Sequence, residues 1–301
     1  MKKLSIGSWA YLFKQDQPVN DFHALVHKLM HLGYQGIELY GAAPHPNPES
    51  HDTKEKRQKL RKMVVEHRLD FSALVANLST HQLWSVEDCG PLVADFEKNA
   101  IFADDLGIKT IRVDTVEPIA NAAQLEPGLL FERCVKAFDV CSKIAANHGV
   151  TVAWEFEPCF AINKPSDIVN LVDAVRALGN PNFGALFDTC NAHMCAAVGA
   201  SQIGEMETLP GGALELMQKL KGKITHVQFS DSDGTLNELG GANHVPFGNG
   251  VLNIEALVPE LLTSGVPNDW WCVDLAHWPD AWTATSECKR FLDKLRHKYA
   301  A

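Results

Sequence analysis

Ionisable and amide side chains recur at the ends of short apolar runs along the chain. These residues are Glu38, Arg112, Asp114, Glu155, Glu157, Asp188, His226, Gln228 and Asp274. If the runs are parallel strands of one closed sheet, their carboxyl ends meet at one face and bring the acids together. Such a crowd of carboxylates cannot ionise fully without a cation or shared protons, whereas isolated acids would each be solvated or paired with Lys or Arg. We therefore expect one divalent cation, Mn²⁺, Mg²⁺, Co²⁺ or Zn²⁺, at this face.

Two of the runs carry a pair of possible metal ligands rather than one. Side chains alternate along a strand, so Glu155 and Glu157 share a face, and so do His226 and Gln228. The two residues of a pair lie at different depths along the barrel axis, so the four residues cannot all bind the same ion. One of each pair is expected to contact the substrate or to support a metal ligand.

A repeated junction indicates the fold that positions these residues. An amphipathic helical pattern ends at a glycine, and a β-branched or aromatic run follows, at Gly33, Gly107, Gly149 and Gly265. Eight strands are predicted, at residues 4–8, 36–40, 70–75, 110–114, 151–157, 183–188, 224–230 and 270–274. Strands that alternate with helices favour a parallel sheet, and eight such units favour a single (β/α)8 TIM barrel over residues 1–301. An open doubly wound sheet is the alternative.

Composition narrows the classes of partner. The 301 residues include 27 Lys and Arg against 37 Asp and Glu, a net charge of −10, and 46% are hydrophobic. A negative protein is repelled by nucleic acid and by anionic membranes, and we expect neither as a partner. Eight cysteines in a chain of this length, and a start without signal-peptide features, predict a cytoplasmic protein with reduced thiols.

Several segments together carry a resemblance to a known family. These are IGSWAY, LGYQGIELYG, GVTVAWEFEP, NFGALFDTCNAHM, THVQFSDSDGTL, PFGNG and VDLAHWPDAW. In them the chain resembles the sugar isomerase/epimerase superfamily with a xylose isomerase-like barrel. The resemblance implies one divalent cation held from strands five to eight, here by Glu155, Asp188, Gln228 and Asp274. Glu157 competes with Glu155 for the first of these positions.

Two positions depart from the family pattern. Gln228 stands where the family usually has a metal-binding His, and an amide oxygen favours Mg²⁺ or Mn²⁺ over Zn²⁺ or Co²⁺. Asn191 stands three residues after Asp188, where many relatives have His, and His193 follows closely. The segment GANHVPFGNG lacks the spacing of a nucleotide-binding loop and is similar to the Gly-rich turn that closes over the mouth of such barrels.

The resemblance implies proton transfer at carbon next to a carbonyl, through an enediolate. Glu155 and Asp274 would remove and return the proton, and Glu157 is a third catalytic candidate. The residues expected to contact a small sugar are Trp9, Glu38, Arg112, Asn191, His193 and His226. The expected activity is a ketose or polyol isomerase or epimerase, in a chain that could form a homo-oligomer.

Three alternatives remain open. One is a lyase or dehydratase acting on a keto-sugar or keto-inositol, with Glu157 or His226 placed over the leaving hydroxyl. A DNA-repair nuclease would need a His-rich site and a basic groove, which the net charge of −10 and Gln228 do not favour. The last is a sugar-binding barrel without catalysis.

Overall fold

The computed structural model describes residues 1–13, 21–83, 85, 87–115 and 119–299. Its strands are β1 Lys3–Ile6, β2 Gly36–Tyr40, β3 Asp70–Val75, β4 Thr110–Val113, β5 Thr151–Glu155, β6 Phe183–Asp188, β7 Ile224–Phe229, β8 Asp231–Leu236, β9 Ala242–Val245 and β10 Trp270–Val273. All strands except β8 and β9 form one parallel sheet in the order β1, β10, β7, β6, β5, β4, β3, β2. A parallel bridge between Gly7 and Glu38 joins the two outer strands. The predicted (β/α)8 barrel is confirmed.

Helices occupy the connections between the strands. They are α1 Phe22–Leu32, α2 Lys54–Glu66, α3 Gly90–Leu106, α4 Ile119–Ala122, α5 Leu129–Asn147, α6 Pro165–Ala177, α7 Thr189–His193, α8 Gly212–Lys219, α9 Ile254–Thr263 and α10 Ala281–Lys298. Within the described residues, no helix is both long enough and apolar enough to cross a membrane.

The glycine junctions have the backbone geometry that the sequence predicts. Gly33 has φ 75° and donates its N–H to the carbonyls of Leu29 and Met30, which ends α1. Gly107 ends α3 in the same way at φ 73°. A residue with a Cβ is disfavoured in this left-handed conformation, so glycine lets the chain turn directly from helix to strand.

Several barrel strands end one or two residues earlier than predicted. β4 stops at Val113, β5 at Glu155 and β10 at Val273. Asp114, Glu157 and Asp274 therefore stand at the start of the following loops. This places their carboxylates on the carboxyl face of the barrel instead of inside it.

The segment after β7, which includes GANHVPFGNG, contains two further strands. β8 and β9 pair as an antiparallel hairpin, with Ser232 opposite His244. A buried carboxylate holds the turn that follows, because Asp231 accepts from the backbone N–H groups of Gly248, Gly250 and Leu252 at 2.9–3.1 Å. The hairpin is thereby fixed against the mouth of the barrel.

Candidate active site

A cavity of about 250 Å³ lies at the carboxyl ends of the barrel strands. Loops from nearly all sides of the barrel contribute to its wall. The polar and aromatic residues that line it include Trp9, Phe13, Tyr40, Asn77, Arg112, Asp114, Glu155, Glu157, Asn191, Asn237, His244, Asp274 and His277. Barrel proteins build binding sites from these loops, so the cavity is the candidate site.

Three carboxylates converge at the base of this cavity. Glu155, Asp188 and Asp274 are each no more than 4% exposed. Asn191 links the first two, since its Nδ2 donates to Glu155 Oε1 at 3.1 Å and its backbone N donates to Asp188 Oδ1 at 2.7 Å. Asp188 caps the N-terminus of α7, which fixes the direction of its carboxylate. Acids from three strand ends are therefore held close together.

Trp9 fixes the third carboxylate. Its indole Nε1 donates to Asp274 Oδ1 at 3.0 Å, and the backbone N of Ala276 donates to the same oxygen at 2.7 Å. Both donors stabilise the ionised form. The other oxygen, Oδ2, lies 4.0 Å from His244 Nε2.

The only arginine in the described wall faces several acids at once. Arg112 contacts Glu155 through Nε, and its Nη2 lies 2.9 Å from Glu157 Oε1 and 3.4 Å from Asp114 Oδ2. Burial disfavours the guanidinium cation, but these carboxylates outweigh burial and raise the pKa of Arg112. Arg112 is therefore a permanent cation whose charge is already matched by neighbouring acids.

One cation does not neutralise this cluster. Burial raises the pKa of Glu155 well above its ordinary value, and the nearby charges of Glu157, Asp188 and Asp274 add to the rise against the attraction of Arg112. Burial likewise raises the pKa values of Glu157 and Asp274. Further positive charge, from protons or from a bound cation, would stabilise the ionised acids.

His244 reaches this cluster from the hairpin and is not among the site residues predicted from the sequence. Its Nδ1 lies 3.1 Å from the carbonyl oxygen of Ala242, so Nδ1 carries the hydrogen and Nε2 faces the acids. Nε2 lies 3.3 Å from Asp188 Oδ1 and has no hydrogen-bonding partner within the described residues. The only signal for it in the sequence is its place in the Gly-rich segment GANHVPFGNG after the seventh predicted strand.

The donor atoms fit a divalent cation. Asp188 Oδ2 is buried and, within the described chain, lacks a hydrogen-bonding partner, as does His244 Nε2. The ligand atoms of Asp188, Cys190 and His244 all lie within 4.8 Å of one another. Burial raises the pKa of the Cys190 thiol to about 12, and its Sγ donates to the carbonyl of Asn243 at 3.4 Å. Carboxylate oxygens and an imidazole nitrogen remain as the available donors.

A second polar group spans the interior of the barrel beneath the cavity. Glu38 on β2 binds two residues of β7: His226 Nε2 lies 2.8 Å from Oε2, and Gln228 Nε2 donates to Oε1 at 2.9 Å. All three side chains are fully buried. Asn268 Nδ2 lies 3.4 Å from His226 Nδ1, which leaves Nε2 as the nitrogen that donates to Glu38. We refer to Glu38, His226 and Gln228 as the barrel floor.

The structure separates the expected substrate contacts into two groups. Trp9, Arg112 and Asn191 line the cavity. Glu38 and His226 do not line it, and they bind each other in the floor. His193 is partly buried and also stands outside the cavity wall.

Most of the residues expected to bind the metal or to act in catalysis lie at the cavity, and Gln228 does not line it. Glu155, Glu157 and Asp274 line the cavity, and Asp188 lies against His244 at its base. Gln228 is outside the wall, and its amide nitrogen is engaged by Glu38. Its Oε1 is buried and unpaired among the described residues.

Comparisons with known proteins agree with this architecture. The family model of the xylose isomerase-like TIM barrel matches residues 26–294. Curated protein sequences give no match. Similar solved structures include the IOLI protein with a bound zinc atom, at 18% identity and a TM-score of 0.75, with 99% of each chain covered. A D-tagatose 3-epimerase-like protein has 16% identity and a TM-score of 0.71 over 99% of each chain.

A third similar structure is the probable 3-DHS dehydratase AsbF from Bacillus anthracis. It has 16% identity and a TM-score of 0.69, and the match covers 97% of this chain and 98% of that one. At such identities these structures share the fold with this protein. The family match spans most of the sequence and confirms the resemblance drawn from its motifs, so the chain belongs to the xylose isomerase-like TIM barrel family.

Proposed function

We propose that the protein is a divalent-metal-dependent isomerase or epimerase of a small sugar or polyol. The observation that carries this proposal is the convergence of Glu155, Asp188 and Asp274 with the unpaired His244 Nε2 at the base of one cavity. Similar solved structures include epimerases, which supports the reaction class without identifying the substrate.

Glu155, Asp188 and Asp274 would hold the cation, and the residue expected from the resemblance as a fourth ligand is Gln228. A divalent cation bound there would supply Lewis-acid polarisation of a substrate carbonyl and would stabilise the negative charge that develops on its oxygen. Glu155 and Asp274 would then move the proton between carbon atoms or between the faces of one carbon. Each carboxylate accepts a proton in its ionised form, which a bound cation would stabilise.

The wall indicates a compact substrate without a phosphate. The cavity of about 250 Å³ is smaller than the roughly 300–1,000 Å³ typical of drug-sized ligands. Arg112 is already surrounded by three carboxylates and offers little free charge to a phosphate. Asn77, Asn191 and Asn237 offer amides that can bind sugar hydroxyls.

The proposal is tested by exchange of carbon-bound hydrogen. Protein supplied with Mn²⁺ is incubated in D₂O with a panel of ketoses and keto-polyols, and deuterium at carbon is followed by NMR. We expect wash-in with at least one substrate, loss of wash-in on chelation, and recovery on adding the metal back. Exchange that is unaffected by chelation would remove the metal from the mechanism.

A dehydratase is the second candidate, because Glu157 offers an additional acid. Glu157 lines the cavity, Arg112 fixes one of its oxygens, and burial raises its pKa. Such a residue could protonate a departing β-hydroxyl after the same proton abstraction. His226, the other acid expected for that step, belongs to the floor. Mass spectrometry of the same incubations separates the two activities, since a dehydratase product is lighter by one water, whereas an isomerase changes the mass only by the deuterium that it incorporates.

A further inference from the structure

We propose that His244, presented by the β8–β9 hairpin, is the imidazole ligand of the divalent cation, and that Gln228 is a residue of the barrel floor rather than a metal ligand. The inference rests on the metal requirement in the proposed function. It assigns a ligand to a part of the chain outside the barrel strands.

The first support is the orientation of the imidazole. The carbonyl of Ala242 accepts from Nδ1 at 3.1 Å, which fixes Nδ1 as an N–H donor and turns Nε2 toward the acids of the cavity. Ligating histidines are commonly fixed by a backbone carbonyl in this manner. His244 is 7% exposed, so an Nε2 without a partner is costly unless a cation or a proton meets it.

The second support is the spacing of the donor atoms. His244 Nε2 lies 3.3 Å from Asp188 Oδ1 and 4.0 Å from Asp274 Oδ2. Two atoms that each lie about 2.1 Å from one ion at a tetrahedral angle are about 3.4 Å apart. The separation of 3.3 Å from Asp188 is therefore close to that of two atoms that share an ion, and the 4.0 Å from Asp274 is longer.

The third support is the engagement of Gln228. Its Nε2 donates to Glu38 on β2 at 2.9 Å, and Glu38 is also bound by His226, so the amide is tied to another strand across the barrel interior. The unpaired Gln228 Oε1 is the competing donor, but the side chain does not line the cavity. A neutral amide oxygen is also a weaker ligand than imidazole for borderline ions.

The hairpin holds His244 in place before any ion binds. Asp231 accepts from Ser232 N at 2.9 Å and from three further backbone N–H groups in the turn after β9. An added Cβ at Gly250 would lie 2.2 Å from the carbonyl oxygen of Ser232, so the turn is tightly packed. A site with the His244 imidazole as a ligand is expected to prefer Zn²⁺ and Co²⁺ more strongly than a site with the amide oxygen of Gln228 in that position.

The test uses Co²⁺ bound to the full-length protein and two readouts that do not depend on turnover. Proton NMR detects the hyperfine-shifted, exchangeable ring N–H of a histidine that binds Co²⁺, and calorimetry gives the Co²⁺ affinity. The wild type is expected to show such a resonance. His244→Asn is expected to lose it and to bind Co²⁺ at least tenfold more weakly, whereas Gln228→Met should keep both.

His148→Asn is the matched control, because His148 lies at the end of α5 and pairs with Asp104. It should keep the resonance and the affinity. If His244→Asn fails to fold, His244→Gln replaces it and must also lose the resonance. A resonance that survives either substitution at His244, or Co²⁺ binding in the wild type without one, would overturn the inference.

The same samples separate this inference from the proposed function. Deuterium wash-in by a wild type that shows no histidine resonance would contradict the ligand assignment and leave the isomerase proposal standing. Loss of the resonance in His244→Asn, with no exchange for any ketose in the wild type, would support the ligand assignment and contradict the isomerase proposal.

Discussion

Trp9 and Asp274 join the first and last strands of the barrel at the candidate site, through a hydrogen bond of 3.0 Å from indole Nε1 to carboxylate Oδ1. Trp9 follows β1 and Asp274 follows β10, and these strands pair in parallel. The bond leaves Asp274 Oδ2 directed toward His244. One oxygen of this carboxylate is therefore anchored, and the other is available for chemistry.

This division predicts the effect of Asp274→Asn. The carbonyl oxygen of the amide can still accept from Trp9, so we expect the fold to persist. Turnover should fall by roughly 10²–10⁴-fold, because a proton-transfer group is lost. Deuterium wash-in and thermal unfolding are measured on the same preparation, with the wild type as reference. A lowered melting temperature with nearly normal turnover per folded molecule would instead mean that Asp274 only anchors its strand.

The barrel floor predicts a loss of stability without a loss of metal binding. Glu38→Gln replaces a carboxylate that binds His226 and Gln228 with an amide, whose nitrogen would face another donor. Leaving a buried donor without its acceptor costs about 1–3 kcal/mol, and more where the lost acceptor is charged. Urea unfolding should detect a loss of this order, and Co²⁺ affinity of the folded protein should stay within a few-fold of wild type. A collapse of metal affinity at unchanged stability would place Glu38 in the metal site.

The same residue gives the stability a defined pH dependence. Burial acts to raise the pKa of Glu38, but His226, Cys272 and Gln228 outweigh it and hold that pKa below its ordinary value of 4.5. A group whose pKa is lower in the folded state contributes stability above its unfolded pKa and loses that contribution as the pH falls. The difference in unfolding free energy between wild type and Glu38→Gln should therefore be largest above about pH 4.5 and shrink below it. A difference that grows on acidification would contradict this.

The sequence was sufficient for the barrel because its signals are local. Gly33 and Gly107 end helices, and the apolar runs after them form strands, so all eight barrel strands were predictable within a few residues. The β8–β9 hairpin was not. Its two strands, DSDGTL and ANHV, lack the apolar alternation of a half-buried strand. Several of their polar residues are buried nevertheless, because the hairpin packs at the mouth of the barrel.

The site was predictable as a set of strand-end acids but not as a set of contacts. Glu38 and His226 are 188 positions apart, and they meet only because the barrel closes and brings interior side chains of β2 and β7 together. No local pattern distinguishes a residue that points into the barrel floor from one that reaches the cavity. His244 was missed for a related reason, since its position depends on the pairing of the hairpin.

The hairpin itself provides a further prediction. Asp231→Asn weakens the acceptor for Gly248, Gly250 and Leu252, so the turn after β9 should loosen. Hydrogen exchange of these three amides should accelerate, and Co²⁺ affinity should fall about tenfold as His244 loses its fixed position. Asp233→Asn is the matched control in the same hairpin, because Asp233 is exposed and binds only Thr235 in the described structure. Equal effects of the two substitutions would contradict a specific role for Asp231.

The last prediction concerns the charge of the substrate. The described wall carries four carboxylates, Asp114, Glu155, Glu157 and Asp274, against the single guanidinium of Arg112. A phosphate ester would add negative charge to this surface, so kcat/KM should be at least tenfold higher for a free sugar than for its phosphate. Matched pairs of free and phosphorylated ketoses, compared by deuterium wash-in, measure this ratio.

A substitution at the rim can test the electrostatic cause. Leu239 lines the cavity and is 77% exposed, so a longer polar side chain can be introduced there without disturbing the core. Leu239→Lys should raise kcat/KM for the phosphorylated sugar and leave the free sugar nearly unchanged, whereas Leu239→Gln should alter neither. High salt should reduce the gain, because screening weakens attraction between exposed charges. A wild type that prefers the phosphorylated sugar would show that a cation outside the described wall receives the phosphate.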